Sequence, residues 1–105
     1  MLKWKRVSVT AGDGAEELET ILIGMAGKNR VIKYVATNNH DGDRRLRVYR
    51  DAEQFIDIDM NMLTVYAPFL PMDLPLTEGQ FCNIGFYNIT GSEVTTIISI
   101  GYTEA

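Results

Sequence analysis

Period-two alternation of apolar and polar residues runs through most of this chain. Ile56, Ile58 and Met60 fall on one side of a segment while Asp57 and Asp59 fall on the other; Leu46 and Val48 alternate in the same way with Arg45, Arg47 and Tyr49. Successive side chains of a strand point to opposite faces, so this spacing predicts strands with one buried and one solvated face. Helical spacing is nearly absent, since the one permissive stretch, Ala15 to Thr20, is short and runs into a β-like segment. Alternation and β-branched content predict strands near Lys3–Thr10, Leu18–Gly24, Arg30–Thr37, Arg44–Arg50, Phe55–Met60, Met62–Tyr66, Gln80–Tyr87 and Glu93–Tyr102. Turn signals separate them. Glycines stand in Ala11–Gly14 and Ala26–Asn29, Asp41-Gly42 marks a hairpin within Asn38–Asp43, and Asn88–Ser92 is expected to close the last hairpin. The expected fold is all-β, an eight-stranded antiparallel sandwich of jelly-roll-like form spanning residues 1–105 as a single domain.

The faces carry a pairing expectation. If Arg44–Arg50 and Phe55–Met60 form a hairpin with Asp51-Ala52-Glu53 as its loop, Arg47 lies opposite Asp57 and Arg45 opposite Asp59. A five-residue loop instead sets Arg47 opposite Asp59. Both registers stack arginines on aspartates on the solvated face, because a slip of one residue would bury the charges. In the last strand Val94, Thr96, Ile98, Ile100 and Tyr102 line one face and Thr95, Ile97, Ser99 and Gly101 the other, which suits a central strand.

One segment breaks the simple picture. Residues 67–79 contain all three prolines, which argues for a loop instead of a central strand. Yet Phe69, Leu70, Met72, Leu74 and Leu76 are too apolar for a solvated loop, so the segment is expected either to cap one end of the sandwich or to pack against another subunit.

Charge sharpens the picture. All ten Lys and Arg lie in residues 1–50 with six acids, and residues 51–105 hold eight acids and no base, so the halves carry +4 and −8. Complementary halves can meet inside one fold or between subunits. With 46% hydrophobic and 23% charged residues, a chain of 105 can bury a core without disulfides or metals. Cys82 is the only cysteine, which leaves no intrachain disulfide; its apolar neighbours Phe81 and Ile84 predict a buried, inert thiol. No apolar h-region follows Lys3 to Arg6 and no apolar run reaches membrane-span length, so neither a secretory signal nor a membrane partner is expected.

Candidate chemistry is sparse. His40 is the only histidine and reads as a turn residue, with no serine placed to form a triad. Asp57 and Asp59 could in principle form a carboxylate pair, but the neighbouring arginines give the simpler account of surface ion pairs. The Asn38–Asp43 loop has oxygen ligands yet lacks the length and closing Glu of an EF-hand loop, so no metal or cofactor is expected. Arg44, Arg45, Arg47 and Arg50 around Tyr49 resemble a basic nucleic-acid strand, which the acidic net charge of −4 and the facing aspartates weaken. Asn88-Ile89-Thr90 is a glycosylation sequon without a visible secretory route. Trp4 and the tyrosines, with the Asn38–Asp43 loop, admit a carbohydrate-binding module.

The run Arg30-Val31-Ile32-Lys33-Tyr34-Val35, leading through an Asp-Gly-Asp turn into Arg44-Arg45-Leu46-Arg47-Val48-Tyr49, then the proline-rich apolar segment and Leu76-Thr77-Glu78-Gly79-Gln80, resembles small jelly-roll-like virion proteins of tailed phages. These are head-decoration, fibre-base or capsid-accessory proteins. The resemblance covers most of the chain in style, without a diagnostic residue. It implies a non-enzymatic structural protein of the virion, made in the host cytoplasm. Such a protein would assemble with itself, with a trimer favoured, and with capsid or tail subunits.

Overall fold

The computed structural model describes residues 2–22, 29–40, 42–63 and 69–104. Eight strands follow one another: β1 (Leu2–Ala11), β2 (Glu16–Ile21), β3 (Arg30–Thr37), β4 (Arg44–Arg50), β5 (Glu53–Asp59), β6 (Phe69–Leu76), β7 (Cys82–Asn88) and β8 (Val94–Glu104), with a 3-10 turn at Met60–Met62. They form two four-stranded antiparallel sheets, ordered β1-β8-β3-β6 and β2-β7-β4-β5. The first strand pairs with the last, the second with the seventh, the third with the sixth and the fourth with the fifth, which is jelly-roll topology. Inward residues of both sheets build the core, with Phe86, Ile32, Leu46, Ile84, Ile98 and Ile100 all at 0% exposure. Each large apolar side chain so buried contributes roughly 1.5–3 kcal/mol.

This topology accounts for the charge asymmetry. Folding the chain back on its midpoint sets every strand of the basic half beside strands of the acidic half, in both sheets. The ion pairs follow: Lys3–Glu104 (2.6 Å), Arg30–Glu104 (2.9 Å), Lys33–Asp73, Arg45–Asp59 (3.5 Å), Arg47–Asp57 (3.2 Å) and Arg50–Glu53 (3.9 Å) all cross between the halves. Arg47–Glu16 (2.7 Å) lies within the first half.

Several expectations need correction. The proline-rich segment is not a loop: Phe69–Leu76 is a strand, β6, paired with β3 at the edge of its sheet. Prolines bar a strand from a sheet's interior but not from its edge, where the missing N–H can face outward. Conversely, the strand expected at Met62–Tyr66 begins in the 3-10 turn, Leu63 belongs to no strand, and its remaining residues lie outside the described ones. The connections at Asn38–Asp43 (Asp41 lies outside the described residues) and Asn88–Ser92 are not hairpins, because β3 and β4, and β7 and β8, sit in different sheets. The turn signal at Ala26–Asn29 falls mainly outside the described residues.

The β4–β5 hairpin sets Arg47 opposite Asp57 and Arg45 opposite Asp59, by a route other than either loop considered. The turn is only Asp51-Ala52, with Arg50 already opposite Glu53, and Phe55 is an extra bulged residue that restores the register. Asp51 takes φ 53°, and its carboxylate accepts the Phe81 N–H at 3.2 Å, tying the turn to the start of β7.

Candidate functional site

The sandwich has two outer faces of opposite character. On the sheet of β2, β7, β4 and β5 the outward side chains are mainly polar and interlocked, with Leu18 half-buried among them. The Arg47 guanidinium donates to Glu16 Oε2 (2.7 Å) and Asp57 Oδ1 (3.2 Å) and lies over the Tyr87 ring at 4.8 Å. Tyr49 Oη donates to the same Glu16 oxygen (2.9 Å) and accepts from Gln54 Nε2 (3.2 Å). Glu16 thereby raises the Arg47 pKa, and burial followed by Glu16 raises that of Tyr49. The network links all four strands, with Asp57 held as an ion-pair partner.

The outer face of the other sheet carries few charges, Arg6 of β1 and the Lys33–Asp73 ion pair at its β6 side. Thr95, Ile97, Ser99, Gly101 and Thr103 of β8 lie between Trp4, Arg6, Ser8 and Thr10 of β1 and Tyr34 and Ala36 of β3. Trp4, Tyr34 and Phe69 come together there although they stand on three strands. Ring centroids lie 6.3 Å apart for Trp4–Tyr34, 5.7 Å for Trp4–Phe69 and 6.2 Å for Tyr34–Phe69, with Trp4 and Tyr34 inclined by only 17°. Gly101 makes this possible. It pairs with Trp4 on one side and Tyr34 on the other, and a Cβ there would sit 3.0 Å from the indole ring. The indole therefore crosses β8 over a residue without a side chain. A second device is a bulge in β3 between Ile32 and Tyr34, which turns Tyr34 outward while Ile32 and Val35 both remain in the core. The three rings stay 49%, 37% and 52% exposed respectively, a cluster of aromatics open to solvent.

The proposed apolar contact set divides. Leu74 and Leu76 are buried in the core, and Leu70 and Met72 are half-buried against it. Phe69 alone of the five is exposed, and it joins the aromatic cluster. The segment is thus mainly an inner wall, because alternation along β6 turns its even-numbered residues inward. A groove of about 550 Å³ opens between the free edges of β5 and β6, lined by Phe55, Ile56, Ile58, Leu70, Met72 and Arg50 among others, with the Arg50 guanidinium 4.8 Å above the Phe55 ring.

The remaining candidates are structural. Asn38 accepts the Ile97 N–H through its side chain (3.0 Å), which ties the loop to β8. His40 is half-buried and its Nδ1 has no hydrogen-bond partner among the described residues. Burial pushes the Cys82 thiol up to about 12. Asn88 of the sequon is fully buried, and its amide is committed to Ala11 O, Ser92 O and Thr90. Among the described residues no three of His, Cys, Asp and Glu converge on one point. Sequence reasoning missed the aromatic cluster, whose only local trace is a glycine in an otherwise branched strand.

No protein-family model matches the chain, and no curated protein matches it. Among solved structures, the nucleoplasmin-like N-terminal domain of Drosophila FKBP39 is similar, with TM-score 0.46 and 12% identity over 97% of this chain and 90% of that one.

Proposed function

We propose that this jelly roll is a non-enzymatic assembly protein that works by associating with itself and with neighbouring protein subunits. The resemblance to small phage virion proteins sets that assembly in a capsid or tail, as a decoration or accessory subunit. The observation that carries the reading is the contrast between the two outer faces. One is sealed by its own ion pairs, while the other leaves Trp4, Tyr34 and Phe69 bare on a sparsely charged surface. Exposed aromatics are among the residues that protein contacts preferentially bury. Light scattering over a range of concentrations, with co-sedimentation on assembled capsids, tests it. Self-association and capsid binding weakened by Trp4→Ala and Phe69→Ala are the expected result; a strict monomer that binds no capsid overturns it.

A second reading, carbohydrate binding, has one observation in its favour. Trp4 and Tyr34 are nearly parallel and side by side, a platform on which a pyranose ring could stack. A glycan array with and without calcium decides this reading. Binding abolished by Trp4→Ala supports it, and no binding anywhere removes it.

A further inference from the structure

Four strand edges end the two sheets, and they are not equally open. A proline stands in a strand only where its missing N–H faces away from the paired neighbour, so Pro71 and Pro75 take donors from the free edge of β6. The edge of β5 is bent by the Phe55 bulge, and β2 is only six residues long. The ten residues of β1 pair with β8 without a register shift, contain no proline and, among the described residues, leave the other side free.

Charge decides what that edge accepts. Lys5 pairs with Ile100, an inner-face residue, so its side chain belongs to the inner side of an edge strand. On β2, Glu17 and Glu19 pair with Phe86 and Ile84 and face inward likewise. Among the described residues Lys5, Arg6, Glu17 and Glu19 take part in none of the ion pairs. Inward charges on edge strands keep other strands out, because pairing would bury them uncompensated. Here the two edges on this side carry opposite signs, so a partner with the same layout supplies counter-charge to both.

The short turn from Ala11 to Glu16 sets Glu17 and Glu19 beside the C-terminal half of β1, whereas Lys5 and Arg6 lie in its N-terminal half. Antiparallel apposition of two β1 strands about a two-fold axis inverts one copy. Each copy's Lys5 then stands level with the other's Glu17 and Glu19 on the inner side, while Arg6, paired with Ser99, points to the outer face. Inner residues must oppose inner residues. A register centred on Lys5 or Arg6 opposes like charges, whereas one centred on Val7 sets Lys5 opposite Val9 and Arg6 opposite Ser8. We propose that the free edge of β1 pairs antiparallel with β1 of a second copy, locked by Lys5 against Glu17 and Glu19 of the other subunit. The inference deepens the assembly reading and rests on it, with a two-fold contact in place of the three-fold one that the resemblance implies.

Charge exchange tests it. The reversed chains Lys5→Glu and Glu17→Lys/Glu19→Lys are made separately, checked for folding by far-UV circular dichroism, and weighed by sedimentation equilibrium alone and mixed. The wild type is expected at twice the protomer mass. Each reversed chain alone should associate about tenfold more weakly or worse, and an equal mixture should return to twice the protomer mass, since each then meets its opposite. Wild type at protomer mass at every concentration overturns the assembly reading with the inference. A wild-type oligomer that either reversal leaves intact, or that has another mass, overturns the β1 contact alone. So do reversed chains that dissociate and remain apart when mixed.

Discussion

Asn88 offers a severe test of how the chain ends of this jelly roll are held. Its side chain is fully buried where β1, β7 and the connection to β8 meet, and it spends all of its hydrogen-bonding capacity. Nδ2 donates to Ala11 O (2.9 Å) and Ser92 O (2.7 Å), and Oδ1 accepts from Thr90 N (2.9 Å) and Thr90 Oγ1 (2.7 Å). Asn88→Asp preserves the shape and replaces the donor by an oxygen that faces two carbonyls. An ionised carboxylate at this position would meet both with repulsion, so the folded variant holds its proton instead. Holding a carboxyl neutral at pH 7 against an unfolded value near 3.9 costs about 1.4 kcal/mol per pH unit, up to roughly 4 kcal/mol. The neutral acid regains one donor, and the carbonyl left without a partner costs about 1–3 kcal/mol more. The sum, on the order of 5–7 kcal/mol, rivals the whole stability of about 5–15 kcal/mol expected of a small domain. The direction with pH follows from the raised folded pKa. The extra loss is absent below the unfolded value and grows as pH rises through it until the folded value is passed. Urea unfolding of wild type and variant by far-UV circular dichroism at pH 4.5 and 7.5 measures the difference. Asn88→Ala, which has no proton to hold, should lose about 3–5 kcal/mol at both pH values. A cost for Asn88→Asp below about 1 kcal/mol, or one equal at the two pH values, would refute the reasoning.

Three further outcomes are expected. A Cβ at Gly85 would lie 1.8 Å from Glu17 O, so Gly85→Ala must push β2 off β7; a loss above about 2 kcal/mol and faster amide exchange across Glu16–Ile21 should follow, and unchanged exchange would count against the close approach. Native Cys82 should resist thiol reagents, and with its pKa raised from 9.0 to about 12, its thiol should make stability fall with pH between those values by up to about 1.4 kcal/mol per unit, a share of the slope that Cys82→Ala removes while that of Tyr49 remains. Gly101→Ala meets only the far end of the Trp4 indole, so it should leave stability within about 1 kcal/mol while shifting Trp4 emission; an unaltered spectrum would show that the ring does not lie over Gly101.

Alternation made the inner and outer residues of β4, β5 and β8 legible, and with them the pairing of Arg45 and Arg47 with Asp59 and Asp57, because a period of two is a local property of extended backbone. The same rule failed in β3, where a bulge lets Ile32 and Val35 both point inward and turns Tyr34 out; the bulge exists only in relation to β8 and β6. At β6 alternation held and the prolines misled, because a proline is compatible with an edge strand and the sequence does not mark which strand is an edge.

By itself, then, the amino-acid order determined an all-β sandwich, its sidedness in most strands, a buried thiol and two halves of opposite charge. The tertiary structure alone decided that consecutive strands change sheets except at β4–β5, that the charged halves meet strand by strand within one molecule, and that Trp4, Tyr34 and Phe69 share a surface. The physical reason is the range of the forces. Side-chain alternation and turn chemistry act over a few residues, whereas strand order and the meeting of three rings across Gly101 are contacts between segments far apart in the chain, chosen by how two whole sheets bury their inner faces together.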